Sequence, residues 1–527
     1  MPAGKFQVQA HCNFFLFSAL YLLVLESCVN ASDQTHLKIS LKGGNHTFIR
    51  SANPLGFSVE FNQFPSWEGE FKNTAKCMEN LEDALGSSIA IRIGGTSMDF
   101  ATYDPTLESP LKVIDETANT QGAFIGTATD VLFGPKFMQL ASRFSGPVTM
   151  GLNRRGNKIN NTIEAVKESM KSIPKLESIE LGNEPEYYGK KAPIAQNSSW
   201  TFERDARSQI SWQREISEAV NKSELIQAGI YLKGDPWSIP SLLPKLQNAN
   251  TMNYVRSFGR HAYPQTSCNH AKTSLPPLMA HPNIKKFVKR FRREVLAAEG
   301  SKRPFFFSET NSATCGGGGI SPMFGAALWV VDYALQSLMI GVHRLYFHQV
   351  YVNPDPYSFW GKDNVSATYY GAYILSLALR DANNLASLES SNEDIAAYAF
   401  RKGDSNLRVL VYNSVFYNSS SGTAISNSKN TTTNGERPVL SVTLSDLQQS
   451  VSNAKLLRLD APGSQVKQRN GAGPTIGGSR FDDKTCVLNS PLKNEELNIK
   501  DGSLTFQIKA SQIVLIELND SSAVMKK

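Results

Sequence analysis

Between residues 56 and 350 the chain repeats one pattern: a short apolar or β-branched run, a polar break, then a stretch with apolar residues at helical spacing. The runs are GFSVEF (56–61), IAIRIGG (89–95), PVTMGL (147–152), SIEL (178–181), QAGIYL (227–232), SFGRHAY (257–263), PFFFSE (304–309) and RLYFHQV (344–350). Most of the gaps carry a helix-period segment, among them FKNTAKCMENLEDAL, NTIEAVKESMKSI, FERDARSQISWQREISEAV, NIKKFVKRFRREVLAAEG and FGAALWVVDYALQSLMIG. A β-then-α alternation met eight times over about 300 residues predicts an α/β fold, a closed (β/α)8 TIM barrel spanning 51–375. An open doubly wound sheet is the alternative that the pattern alone leaves.

After residue 376 the period changes to two, as in IAAYAF, LRVLVY, VLSVTL, AKLLRL and LTFQIKASQIVLIEL, which predicts an all-β sandwich module over 376–527. Within it, residues 418–438 are rich in Ser, Thr and Asn and are expected to form a long exposed loop. The segment HLKISLKGGNHTFIR also alternates, so residues 32–50 are expected to supply a strand to this module. Ahead of it, Lys5 precedes the apolar run NFFLFSALYLLVL, and Val29 and Ala31 form a small-residue V-x-A pattern. That reads as a signal peptide over 1–31, too short in its apolar part to span a bilayer, and it predicts a secreted, extracellular protein with no membrane attachment after its removal.

Composition adds limits. With 41% hydrophobic and 10% aromatic residues the chain has a full core, and a net charge of +7 is modest for 527 residues. Nothing in that balance calls for a nucleic-acid partner. The one dense basic run, KKFVKRFRR (285–293), interleaves apolar residues at helical spacing and is read as the solvated face of an outer helix, with docking of an acidic polymer as the alternative. N-x-[ST] sites at Asn45, Asn160, Asn197, Asn221, Asn364, Asn418, Asn430 and Asn519 agree with export. Beyond the signal, Cys77, Cys268, Cys315 and Cys486 have no zinc-like spacing and are expected in disulfides. Three pairings are open. Neighbouring loops after strands six and seven favour Cys268 with Cys315.

Candidate chemistry gathers at the C-terminal ends of the predicted strands: Glu60, Asp99, Asn183 with Glu184, His261 with Tyr263, Glu309, and Gln349. In a closed barrel those ends share one mouth. Glu184 follows the fourth strand, where Pro185 cannot continue a ladder, and Glu309 ends the rigid apolar run FFFSE of the seventh. Two carboxyl groups on one rim suit glycoside hydrolysis: one protonates the leaving oxygen, the other attacks or supports the oxocarbenium-like carbon. His261 and Tyr263 are placed to hydrogen-bond a carboxylate or a sugar hydroxyl. No G-x-G-x-x-G follows the first strand, and no cofactor or metal is called for.

An Asn-Glu-Pro at strand four with a Glu at strand seven resembles the retaining barrel glycosidases of clan A. The segments RIGGTSMDF (92–100), LGNEPEYYG (181–189), GRHAYPQT (259–266), FSETNSATCGGGGISPMFGAALW (307–329) and HQVYVNPDPY (348–357) are similar to glycoside hydrolase family 79, which holds exo-acting β-glucuronidases and the heparanases. The resemblance implies Glu184 as acid/base, Glu309 as nucleophile, Asn183 as donor to the sugar 2-hydroxyl, and Tyr263 in contact with the nucleophile. It implies that the glucuronic acid carboxylate meets the backbone amides of Gly316 and Gly317 and the hydroxyl of Tyr357, and it leaves Glu60 and Asp99 for the distal hydroxyls. Successive N–H groups in a Gly-rich turn can hold an anion without an arginine. The stretch 102–146 is short and lacks the dibasic excision site of heparanases. The expectation is therefore a secreted retaining exo-β-glucuronidase, releasing terminal β-D-glucuronic acid, 4-O-methylated or not, from polysaccharide or glycoprotein glycans. A heparanase-like endo-β-glucuronidase is the alternative, and a non-catalytic carbohydrate-binding protein stands further off.

Overall fold

The computed structural model describes residues 36–115, 130–350, 358–468 and 472–520. The signal-like segment and Tyr357 lie outside the described residues.

Eight strands close into a parallel barrel in chain order: β1 (Leu55–Glu60), β2 (Ala90–Gly94), β3 (Val148–Leu152), β4 (Leu176–Leu181), β5 (Ile226–Tyr231), β6 (Val255–Ala262), β7 (Phe305–Thr310) and β8 (Arg344–Gln349), with β8 pairing back onto β1. This decides for the closed barrel over the open sheet. Almost every residue of these strands is buried, as expected where helices cover the outer face and side chains fill the inside. Phe57, Ile91, Met150, Phe258, Phe305, Phe307 and Phe347 belong to the large apolar core shared with the surrounding helices. Inside the barrel, Ala90, Phe306 and Tyr346 form a separate apolar layer. Ser58, Arg92, Glu180 and Gln227 form a hydrogen-bonded polar group, all of them buried.

The predicted helix over 283–300 is two helices, His281–Lys289 and Arg292–Gly300. Between them the N–H groups of Arg290 and Phe291 bond three residues back, and the tighter turn lets the Phe291 ring meet Phe307 of β7 edge-on at 4.9 Å. The basic side chains of this region are exposed, while Ile284, Val288 and Phe291 are buried.

The last barrel helix runs Ala367–Leu379, across residue 376, and the first strand of the module after it is Asn384–Ser387. Two sheets make the module, with one core between them containing Leu37, Ile39, Val442 and Phe506 against Val409, Val411, Val514 and Ile516. Strand His36–Ser40 pairs with Val439–Ser445, and strand Asn45–Phe48 with Asn384–Ser387, so both N-terminal strands enter the module before the barrel begins. The expected loop at 418–438 instead carries two strands and the end of a third of a small three-stranded sheet, Phe416–Asn418, Thr423–Ser426 and Thr431–Asn434. Its β-branched threonines pair well in a ladder even where they face water, and polar composition alone hid that.

Cys268 is bonded to Cys315 and Cys77 to Cys486. The second bridge ties helix Thr74–Leu85 to the module, beside Phe481, whose ring packs edge-on against Tyr369 and Tyr370. Among the described residues no helix is long and apolar enough to cross a membrane.

Candidate active site

Past the end of β4 the chain turns sharply. Gly182 has φ +82°, and a Cβ there would lie 2.3 Å from the Tyr188 hydroxyl, so glycine is required. Glu184 is left-handed too (φ 46°, ψ 58°), a conformation that costs a non-glycine residue of order 1 kcal/mol and gathers at functional sites. The turn is held in place from several directions. Asp99 accepts from the Asn183 N–H at 3.0 Å and from the Tyr188 hydroxyl at 2.8 Å, and the Glu184 N–H donates to the Ile230 carbonyl at 3.2 Å. Ile230 is itself left-handed at φ 62°, an outlier for a β-branched residue. Pro185 has no N–H to offer a strand and starts the short 3-10 turn Pro185–Tyr187. This local wiring explains why Asn, Glu and Pro follow an apolar run: the break aims the Glu184 side chain into the mouth.

Glu309 sits within β7 on a rigid ladder. Its Oε1 accepts from the Tyr263 hydroxyl at 2.7 Å and its Oε2 from Arg92 Nη1 at 2.6 Å. The Arg92 guanidinium also reaches Glu180 (2.7 Å), Ser58 (2.9 Å) and Asn183 Oδ1 (3.1 Å). Gly94 leaves room for it, since a Cβ there would lie 2.6 Å from the guanidinium carbon. His261 Nδ1 lies 2.8 Å from Glu184 Oε1 and 3.8 Å from Glu309 Oε1. His348 Nδ1 lies 3.7 Å from Glu309 Oε2, and its Nε2 lies 3.4 Å from Glu60.

The two glutamates therefore meet opposite environments. Burial, followed by the negative charge of Glu309, pushes the Glu184 carboxyl up to about 8. Burial also opposes ionisation of Glu309, but His348, His261, Arg92 and the Tyr263 hydroxyl outweigh it and hold that carboxyl well below the usual range. Burial pushes His261 down to about 4, so near neutral pH it is uncharged, while Arg92 keeps its charge against Glu309. A protonated carboxyl thus faces an ionised one. One oxygen of each lies within 4.8 Å of the other, close to the separation of about 5 to 5.5 Å at which the second carboxylate attacks directly. The same atoms with His261 are close enough to ligate a cation, but Arg92 already neutralises Glu309 and opposes a second positive charge there.

Beyond β7, residues 315–319 are left-handed one after another, with φ of 57°, 88°, 77°, 56° and 78°. Four of the five are glycine, which alone adopts this at little cost. The Cys268–Cys315 bond, the Ser267 hydroxyl on the Cys315 carbonyl (2.7 Å) and the Thr273 hydroxyl on the Gly318 carbonyl (2.8 Å) anchor the turn. Gly317 is buried and Gly316 half-buried.

Of the residues singled out from sequence, Glu309, Asn183 and Tyr263 share one hydrogen-bonded group with Arg92, and the hydrogen-bonded pair His261 and Glu184 meets it where His261 lies 3.8 Å from Glu309. Glu60 joins it through His348, and also accepts from the Ser97 N–H at 2.8 Å. Asp99 supports the Asn183 backbone, and Gln349 accepts from the Phe359 N–H at 2.8 Å. Arg92, Glu180, Ser58 and His348 were missed. Their signal was a charged or polar side chain inside an apolar run, which a barrel interior tolerates only with partners.

A sequence profile described as the glycosyl hydrolase family 79 C-terminal beta domain matches residues 397–515. A curated beta-glucuronidase of Aspergillus niger is 28% identical over 415 residues, 69% of this chain and 72% of that one. One from Neurospora crassa is 26% identical over 413 residues, with the same coverage. Among solved structures, a 4-O-α-L-rhamnosyl-β-D-glucuronidase of Fusarium oxysporum 12S, in complex with Rha-GlcA, is 36% identical with a TM-score of 0.81, covering 92% of this chain and 100% of that one. A family 51 α-L-arabinofuranosidase of Bifidobacterium longum shares the fold at 11% identity and a TM-score of 0.61, covering 92% of this chain and 99% of that one.

Proposed function

This chain belongs to glycoside hydrolase family 79, and from that membership we propose that it is a retaining β-glucuronidase that removes terminal β-D-glucuronic acid from glycans. The observation that carries the mechanism is the pair Glu184 and Glu309, opposite in protonation and within 4.8 Å. Glu309, ionised and fixed by Arg92 and Tyr263, attacks the anomeric carbon while Glu184 gives its proton to the leaving oxygen. With the proton gone, Glu184 becomes the base that draws a water onto the covalent intermediate. Asn183, with its Oδ1 turned to Arg92, is left to donate from its amide nitrogen to the 2-hydroxyl. The backbone N–H groups of the glycine turn at Gly316 and Gly317, together with the Tyr357 hydroxyl that the sequence motif assigns to it, take the sugar carboxylate. Glu60 and Asp99 close the pocket behind the distal hydroxyls, and Gln349 ends β8 at the same mouth.

The protein is exported. The N-terminal apolar run supports that reading, as do two disulfides and the fact that none of the named N-x-[ST] asparagines is buried. Tolerance of a substituent on the 4-hydroxyl, rhamnosyl or methyl, is a second reading favoured by the rhamnosyl-glucuronide that the Fusarium protein holds. The test is hydrolysis of an aryl β-D-glucuronide beside the matching β-D-glucoside, with the first-formed anomer followed by proton NMR. Selective release of the β-anomer of glucuronic acid is expected. The α-anomer as first product would overturn the retaining assignment, and equal turnover of the glucoside would overturn the carboxylate-binding role of the glycine turn.

A further inference from the structure

Tyr187 is a large side chain left 55% exposed on the rim, one turn beyond the acid/base residue. Its N–H bonds the Glu184 carbonyl at 3.0 Å, so the ring is tied to the same backbone turn that aims the acid. Lys233, just past the end of β5, holds its ammonium 4.2 Å from the ring centroid and 3.5 Å from the Glu186 carbonyl. Between them lies Glu186, a buried carboxylate whose Oε1 accepts from the Leu232 and Lys233 N–H groups and so fastens the strand-five loop to the strand-four turn. Two loops, an ion–ring contact and a buried carboxylate thus hold this exposed ring in place.

The leaving group departs on the side of the group that protonates it. Glu184 thus defines where the first sugar after the scissile bond must lie, and Tyr187 shares its turn. We propose that Tyr187, braced by Lys233, is the platform on which that first leaving-group sugar ring stacks, making it a specificity-determining residue for glycan over small-alkyl glucuronides. This rests on Glu184 being the acid. A pyranose offers a face of C–H groups, and a tyrosine ring offers it a large, rigid, half-apolar surface at little entropic cost.

The experiment compares kcat/KM for methyl β-D-glucuronide and for a disaccharide of glucuronic acid β-linked to a neutral hexose, in wild type, Tyr187→Ala and Tyr187→Phe. Tyr187→Ala is expected to lose about tenfold on the disaccharide, mostly through KM, and to keep its turnover of the methyl glucuronide. Tyr187→Phe keeps the stacking surface and is expected within about twofold of wild type on both. Equal losses on the two substrates, as a merely structural role would give, overturn the platform, and so does a disaccharide rate that does not change. A wild type inert on both glucuronides overturns the activity reading first and the platform with it.

Discussion

Arg92 Nη1 lies 2.6 Å from Glu309 Oε2, an ion pair in which the arginine is wholly buried and the glutamate nearly so. The same guanidinium holds Glu180 at 2.7 Å, so one cation serves two carboxylates that would otherwise repel inside the barrel. Arg92→Met would take the arginine from both, and breaking a buried pair from one side costs roughly 3 to 5 kcal/mol. A fall in Tm is expected. With the cation gone, the Glu309 carboxyl also rises towards the ordinary range, so the acid limb of kcat/KM moves to higher pH. Arg92→Lys keeps the charge but loses the fork that spans two partners, and is expected to be intermediate in both measurements.

The roles proposed for the two glutamates predict different products when azide replaces what a mutation removes. In Glu309→Ala the attacking group is absent and turnover of an aryl β-D-glucuronide falls by several orders of magnitude. Azide entering the vacated space attacks the substrate directly and gives the α-glucuronosyl azide. In Glu184→Ala the covalent intermediate still forms with a good leaving group, and azide then opens it to the β-azide. Product stereochemistry by NMR checks both, and the reverse pattern would exchange the roles.

The Cys268–Cys315 bridge closes a stretch with a sequence separation of 47 and ends on the first residue of the left-handed turn. Closing a loop of that length removes about 4 kcal/mol of unfolded-state entropy on the chain-entropy account. Cys268→Ser with Cys315→Ser is expected to lower Tm and, with the turn in its proposed role as the seat of the sugar carboxylate, to raise KM for the glucuronide more than it lowers kcat. Cys77→Ser with Cys486→Ser, at the join of barrel and module, is expected to lower Tm with KM unchanged. Steady-state kinetics beside a thermal melt distinguishes the two.

The strands and the two glutamates were readable because each leaves a local mark: an apolar run of strand length, then a carboxylate where neither strand nor helix favours it. Arg92, Glu180 and His348 were not read, because attention to strand ends passes over the strand interior. Yet Arg92 stands within the run IAIRIGG, where an unpaired charge would be untenable, and that was the available clue. No residue type announces that Glu184 is left-handed; that follows from its bond to Ile230 and from Asp99 on Asn183, contacts between segments far apart in sequence. The break at Arg290–Phe291 likewise depends on where Phe307 waits.

Glu184 carries the last prediction, because the raised pKa that suits it to the proposed acid role also sets a pH dependence of stability. Its folded pKa, about 8, lies above the ordinary 4.5, so between those values the folded state holds a proton that the unfolded state has lost. Stability from this group is full below about pH 4.5 and is lost as pH rises towards 8, at most roughly 1.4 kcal/mol for each pH step of one across that window. Glu184→Gln keeps the shape and removes the titration. Relative to wild type its Tm is expected to rise at pH 9 and to match at pH 5, while its turnover of poorly activated glucuronides falls at least a hundredfold. The basic limb of the wild-type kcat/KM profile is expected near pH 8 and absent from the variant's residual activity. A variant whose basic limb stayed in place would assign that ionisation elsewhere, with Glu186, pushed up to about 7 by burial and then by Glu184, the next group to replace.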